Sequence, residues 1–136
     1  MNKGIIGVGA CCVLILLSTP FAIMADAQGK NSLNVLPPTT ITILQPEEGM
    51  LYIWSRPVIP LSFNRTVIIG PIVIQAGVTG INGFEVDFYI DGEHKFHDNY
   101  WPFEYSWVDP GFGIYLITAE LAGYGLKDSI KVFKVL

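Results

Sequence analysis

The sequence predicts an all-β chain, an antiparallel sandwich of about seven strands, and three observations carry that prediction. From residue 84 to residue 90, apolar Phe84, Val86, Phe88 and Ile90 alternate with Glu85, Asp87 and Tyr89, the period of two that marks a half-buried strand. Turn formers such as Asp91-Gly92, Pro110-Gly111 and Gly123 recur at intervals of about 8–14 residues. No window sustains the 3.6-residue period of an amphipathic helix.

The chain begins with a targeting pattern. Lys3 supplies a short positive region, residues 4–17 are apolar or small without interruption, and Ser18-Thr19-Pro20 breaks the run. Ala25-Asp26-Ala27 fits a small-x-small cleavage site, so residues 1–27 read as a secretory signal peptide and Gln28 as the mature N-terminus. The alternative is a retained membrane anchor, because residues 4–24 carry no charge and about 20 such residues span a bilayer. Both cysteines, Cys11 and Cys12, lie in this segment. They read as small hydrophobes there, and the domain beyond Ala27 is free of disulfides. Either reading places the domain outside the cytoplasm, secreted or in the cell envelope.

Residues 28–39 are polar, rich in turn formers and end in Pro37-Pro38, the composition of a linker. The domain then occupies residues 40–136. Residues 39–44 form a β-branched first strand and residues 50–54 a second, separated by a turn at Pro46 and Gly49. Pro57 and Pro60 cannot donate to a ladder, so that stretch is loop or sheet edge. Residues 66–76 read as one strand kinked at Gly70-Pro71, followed by a glycine-rich loop. The strand at 84–90 ends in Asp91-Gly92, the chemistry of a tight hairpin turn. Residues 103–107 alternate Phe103, Tyr105 and Trp107 with Glu104 and Ser106. A strand at 114–120 and a last one at 127–136, where Ile130, Val132 and Val135 are surrounded by lysines, complete the series.

Charge excludes several partners. The chain holds 8 basic and 12 acidic residues; Lys3 and Asp26 precede residue 28, leaving 7 and 11, a net charge of −4. That balance has no electrostatic footprint for nucleic acid and no polybasic patch for anionic lipid. Contact with a membrane would run only through the N-terminal segment, if it is uncleaved.

The residue types suited to catalysis are sparse, and no cofactor is expected. Gly-x-Ser-x-Gly, phosphate-loop and His-Glu-x-x-His patterns do not occur. His94 and His97 are the only histidines, and in a regular strand their separation of three puts them on opposite faces. A shared metal would need a bulge between them. Glu85, Asp87 and Asp91 line one face of the Phe84 strand and its turn, with Asp98 and Asp109 in loops. Calcium asks for six to eight converging oxygens, and these carboxylates read as a solvated face. Phe103, Tyr105, Trp107, Val86, Phe88 and Ile90 read as facing core stripes. Trp54, Tyr100, Trp101 and Tyr124 fall instead at strand ends or in loops, where aromatics bind a sugar or a protein or cap the sandwich. Asn64-Arg65-Thr66 is a glycosylation sequon on Asn64 in a surface loop.

Together these segments resemble a known family. Pro46, Gly49, Tyr52-Ile53, residues 66–72, Val86, residues 88–92, residues 102–105, Trp107, Phe112-Gly113 and Tyr115 are similar to the pattern of prokaryotic immunoglobulin-like domains of secreted and surface proteins. The resemblance spans nearly all of residues 40–136, whose length also suits such a domain. It implies an immunoglobulin-like sandwich and, in function, a non-catalytic exported module that binds or builds at the cell surface. The partner would be an unknown protein or glycan. Two loops depart from the family pattern, at residues 77–81 and 119–124, where apolar or aromatic residues replace acidic and amide ones. A carbohydrate-binding accessory domain using the loop aromatics is the alternative, and a small hydrolase stands third. Fold and function are separate inferences here, since one fold hosts many sites.

Overall fold

A computed structural model describes residues 36–80 and 84–136. The signal or anchor segment, both cysteines and most of the linker lie outside these residues. The compact unit they form runs from Pro37 to Leu136.

Ten strands form among the described residues: β1 (Thr40–Gln45), β2 (Met50–Ile53), β3 (Arg56–Pro60), β4 (Thr66–Ile69), β5 (Ile72–Thr79), β6 (Val86–Ile90), β7 (Glu93–Asp98), β8 (Phe103–Trp107), β9 (Phe112–Leu121) and β10 (Leu126–Val135). They make a three-stranded sheet in the order β1-β5-β8 and a seven-stranded sheet in the order β3-β2-β4-β10-β9-β6-β7. The all-β, two-sheet prediction holds, with no helix among the described residues.

The count exceeds about seven for identifiable reasons. The stretch 66–76 is two strands, because the chain leaves the larger sheet at Gly70 (φ 87°) and enters the smaller one at Ile72. The proline-punctuated stretch is the edge strand β3, paired to β2 on one side only. The Asp91-Gly92 turn returns a further strand, β7; Asp91 and Gly92 have φ of 51° and 82°, as a tight hairpin requires. The topology also corrects the purely antiparallel reading, since β4 runs parallel to both β10 and β2.

The core lies between the sheets. Ile41, Ile72, Ile74, Ala76, Phe103 and Trp107 from the small sheet meet Tyr52, Ile68, Val86, Phe88, Ile90, Ile117, Ala119, Leu121 and Val132 from the large one. Each set occupies alternate positions on its strand, as the pleat dictates. Phe88 is fully buried and Trp107 is 3% exposed, so the two predicted aromatic stripes do face inward. Tyr105 is half-buried at the sandwich side, stacked between Phe88 (6.1 Å between centroids) and Phe96 (5.8 Å).

Strand β10 reverses the expectation for its lysines. Lys134 is completely buried beside Val132 on the inner face. Its Nζ donates to the Asp109 carbonyl at 2.9 Å and to the main-chain oxygen of Leu136, and it sits 5.0 Å from the centre of the Trp107 ring. These partners offset the cost of burying a cation. Burial still pushes the Lys134 pKa down, against the pull of Asp109.

Candidate binding surfaces

The four aromatic residues read from the sequence do not form one patch. Tyr100 and Trp101 occupy the β7–β8 loop, 76% and 80% exposed. Tyr124 lies in the β9–β10 turn at the same end, since Leu121 pairs with Val86 and Val86 with Asp98. It is half-exposed and packs edge-on against Phe84, with centroids 5.6 Å apart. Trp54 stands at the opposite end, following β2 and close to Gly70. A Cβ added to Gly70 would lie 3.2 Å from the Trp54 ring, so that glycine makes room for the indole. Trp54 also walls a concavity of about 140 Å³ with Ser55, Pro71, Ile72, Val73, Ser106 and Val108.

The loop bearing Tyr100 and Trp101 is held by one carboxylate. Asp98 Oδ1 accepts the Tyr100 N–H at 3.1 Å, and Asp98 Oδ2 accepts the Glu104 N–H at 2.9 Å. The two bonds fix both ends of a four-residue excursion, an Asx-type turn. Beside it, Phe96, Asp98, Pro102, Glu104, Tyr105 and Ser106 line a shallow groove of about 460 Å³ between β7 and β8. Aromatic rings and carboxylates therefore share one concavity under two projecting aromatic side chains. Burial raises the Tyr105 pKa, reinforced by Asp109, so its hydroxyl stays protonated as a donor. Phe96 was not among the sequence candidates. Its signal was an isolated aromatic in an otherwise polar strand, Glu93–Asp98.

A second constellation corrects the sequence reading of the histidines. The register of β6 against β7 shifts between Phe88–Phe96 and Tyr89–His94, leaving Lys95 as an extra residue. This bulge turns His94 and His97 to the same, outer face. Both rest on a single oxygen, Asp87 Oδ1, with His94 Nε2 at 2.9 Å and His97 Nδ1 at 2.8 Å. His97 Nε2 is also 3.6 Å from Glu85 Oε2. Burial raises the Asp87 pKa, but the bonds from His94 and His97 outweigh it and hold the carboxyl below its usual value. The hydrogen bond to Asp87 holds the His97 imidazole above its usual 6.5. Among the described residues, no group of three or more His, Cys, Asp or Glu is arranged to hold a metal ion. Asp91, read with these carboxylates, caps instead the Leu116 N–H at 2.7 Å.

In the sequon, Asn64 is exposed in the β3–β4 loop with φ 54°. The Thr66 hydroxyl is buried, donating to the Glu47 carbonyl and accepting from Gly49 N–H.

No protein-family model and no curated protein sequence matches this chain. Solved structures do. Fibronectin(III)-like modules of Clostridium thermocellum CbhA align at 22% identity with a TM-score of 0.49. The alignment covers 71% of this chain and 46% of that one, so this chain spans under half of that structure. A CARDB domain from Pyrococcus furiosus, solved in complex with di-metal ions, aligns at 13% identity with a TM-score of 0.47. That alignment covers 77% of this chain and 99% of the other.

Proposed function

We propose that this chain is a non-catalytic, exported immunoglobulin-like module that binds a partner at the cell surface through its β7–β8 side. One observation carries the reading. Tyr100 and Trp101 project 76% and 80% exposed from a loop that Asp98 ties at both ends. Large aromatic rings held in solvent bury little surface in the free chain and yield binding energy when a partner covers them. A loop already ordered by two hydrogen bonds loses little entropy on binding. The test is recovery of partners from envelope extract with the wild-type chain and with Tyr100→Ser/Trp101→Ser. A partner retained equally by both would sink the assignment of this loop.

The alternative, a carbohydrate-binding accessory role, is favoured by the groove below the loop. Phe96 and Tyr105 offer ring faces, while Asp98 and Glu104 bring carboxylates into the same concavity. Sugars are held by that combination of stacking and polar contacts. Binding on a glycan array that disappears in Trp101→Ala would select this reading over a protein partner.

A further inference from the structure

The outer face of the seven-stranded sheet is divided in two, and its apolar half has no covering element among the described residues. The registers assemble it row by row. Ile53, Ile69, Val135 and Phe112 lie side by side across β2, β4, β10 and β9. The next row is Ile59, Leu51, Val67, Phe133 and Ile114. Leu116 adds to the third row, opposite Lys131. Beyond it the same face turns polar, with Ser129, Thr118, Tyr89 and His94, then Lys127, Glu120, Asp87 and His97. Phe112 is 78% exposed, Ile114 63% and Ile59 51%. The exposed apolar area is on the order of 600 Å², at the top of the range for a monomer and near the ~800 Å² that each partner brings to a standard interface.

Two features show which partner suits this face. Phe112 is a knob at one side of the Phe133–Ile114 row. On the other side lies a notch of about 350 Å³ bounded by Glu48, Asn64, Arg65, Ile114, Lys131 and Phe133. The notch exists because β4 pairs with β10 only from Val132 onward, which leaves the sheet stepped at Lys131. A two-fold axis in the plane of the face, along the Phe133–Ile114 row, exchanges the two sides. It sets Phe112 of each copy over Leu116 of the other, on the same strand one row across the axis, which is the self-complementarity that a two-fold interface needs. The same rotation brings Arg56, at the Phe112 side, toward Glu48 at the notch of the other copy, so charges of opposite sign meet at the rim.

Association by strand addition is obstructed at three of the four sheet edges. Pro57 and Pro60 interrupt the donors of edge strand β3. The two edges of the small sheet have N–H groups taken by Asp128, on Ile43, and by Asp98, on Glu104. Sheet-on-sheet packing on the apolar half uses none of these edges.

We propose that this face is a homodimer interface, with a second copy of this chain packed on it about that two-fold and Phe112 of each copy packed over Leu116 of the other. Sedimentation of the full chain over a concentration series tests it. Wild type is expected to show reversible dimerisation. Ile114→Lys is expected to raise the dissociation constant at least tenfold, with circular dichroism unchanged because the side chain is exposed. Glu120→Lys, on the polar half, is expected to leave it unchanged. Arg56→Glu is expected to weaken the dimer, and Arg56→Glu with Glu48→Arg to recover it. A wild-type chain that remains monomeric at hundreds of micromolar overturns the proposal. So does a dimer indifferent to Ile114→Lys, which would place the contact on another surface, including the N-terminal segment. A charge-swapped pair that stays as weak as the single variant overturns the two-fold.

Discussion

The carboxylate of Asp128 accepts the backbone N–H of Ile43 at 2.8 Å, joining two residues 85 positions apart in the chain. Asp128 belongs to β10 of the large sheet, and Ile43 to β1 at the edge of the small one. The bond crosses between sheets on the outer side of β1, where that edge strand has no strand neighbour. It satisfies a donor next to the β-bulge that leaves Leu44 out of register. The result is a polar stitch between two layers otherwise held by apolar packing.

Asp128→Ala removes this stitch and leaves a part-buried N–H without its partner. An orphaned donor of that kind costs about 1–3 kcal/mol, and the acceptor here is a carboxylate, which makes the bond stronger than a neutral one. Lys127→Ala, next to it on the exposed side, is expected to cost under about 0.5 kcal/mol. Urea unfolding of the two variants measures the difference directly. Equal midpoints would mean that water replaces the carboxylate at no cost.

The Asp87 cluster predicts a pH dependence whose sign follows from its two shifts. The His97 pKa is raised in the folded state. Its contribution is therefore fully present below the unfolded value near 6.5 and is lost as pH rises through the folded value. The Asp87 pKa is lowered. Its contribution is present above the unfolded value, near 3.8, and is lost as pH falls through the folded one. The cluster stabilises most between about pH 4 and 6.5. Asp87→Asn is expected to flatten that part of the stability profile and to return the His97 pKa toward 6.5. Imidazole proton shifts followed by NMR titration read this without reference to unfolding. An unchanged His97 titration in Asp87→Asn would refute the pairing.

Phe88 and Trp107 are the places where the inner register is most exposed to test. Phe88 is fully buried, and Trp107 packs at 5.1 Å, edge-on, against Tyr115 while lying under Lys134. Truncating either to alanine is expected to cost about 3–5 kcal/mol, a large share of the ~5–15 kcal/mol that a small domain possesses. Trp107→Ala additionally strips the ring from a buried ammonium group. Glu104→Ala, on the outer side of the same strand as Trp107, is expected to cost under about 1 kcal/mol. Denaturant midpoints rank the three variants. A costly Glu104 beside a silent Phe88 would reverse the strand faces.

These register predictions were legible in the sequence because strands β6 and β8 alternate cleanly between core and solvent. Other elements hid their placement for physical reasons. The stretch from Thr66 to Ala76 is β-branched and apolar on both sides of Gly70, so its periodicity carries no sign that the chain changes sheets. The bulge at Lys95 has no marker residue, yet it alone decides that His94 and His97 share a face. Strand β10 is inverted over its last residues, with Lys134 inside and Phe133 and Val135 outside. Lysines flanking valines look like a solvated strand, and only the tertiary partners of Lys134 show otherwise. The same inversion conceals the apolar outer face, since four of its strands contribute only two or three residues each. The loop aromatics were visible as residue types, but their separation onto opposite ends required the topology.

Asp98 offers a way to separate order in the binding loop from stability of the sandwich. Its two oxygens hold the Tyr100 and Glu104 N–H groups, one in the loop and one at the start of β8. Asp98→Ala frees both, but no core side chain is removed and the β5–β8 ladder stays intact. Global destabilisation is therefore expected to be about 1 kcal/mol, a melting shift of roughly 4–8 °C in a domain of this size. Local opening of residues 99–102 should respond more strongly, because Asp98 holds the Tyr100 N–H directly. A loss of about 1.4 kcal/mol local to the loop raises its open population tenfold, and proteolysis follows that population when reclosing is fast. Chymotrypsin, which cleaves after aromatic residues unless proline follows, is thus expected to cut after Tyr100, the Trp101-Pro102 bond being resistant, several-fold faster in Asp98→Ala than in wild type under native conditions. Asp98→Asn retains an oxygen acceptor and should fall between the two. If all three chains are cut at the same rate, the loop is not held by Asp98, and the preorganisation that supports its role in binding is lost with it.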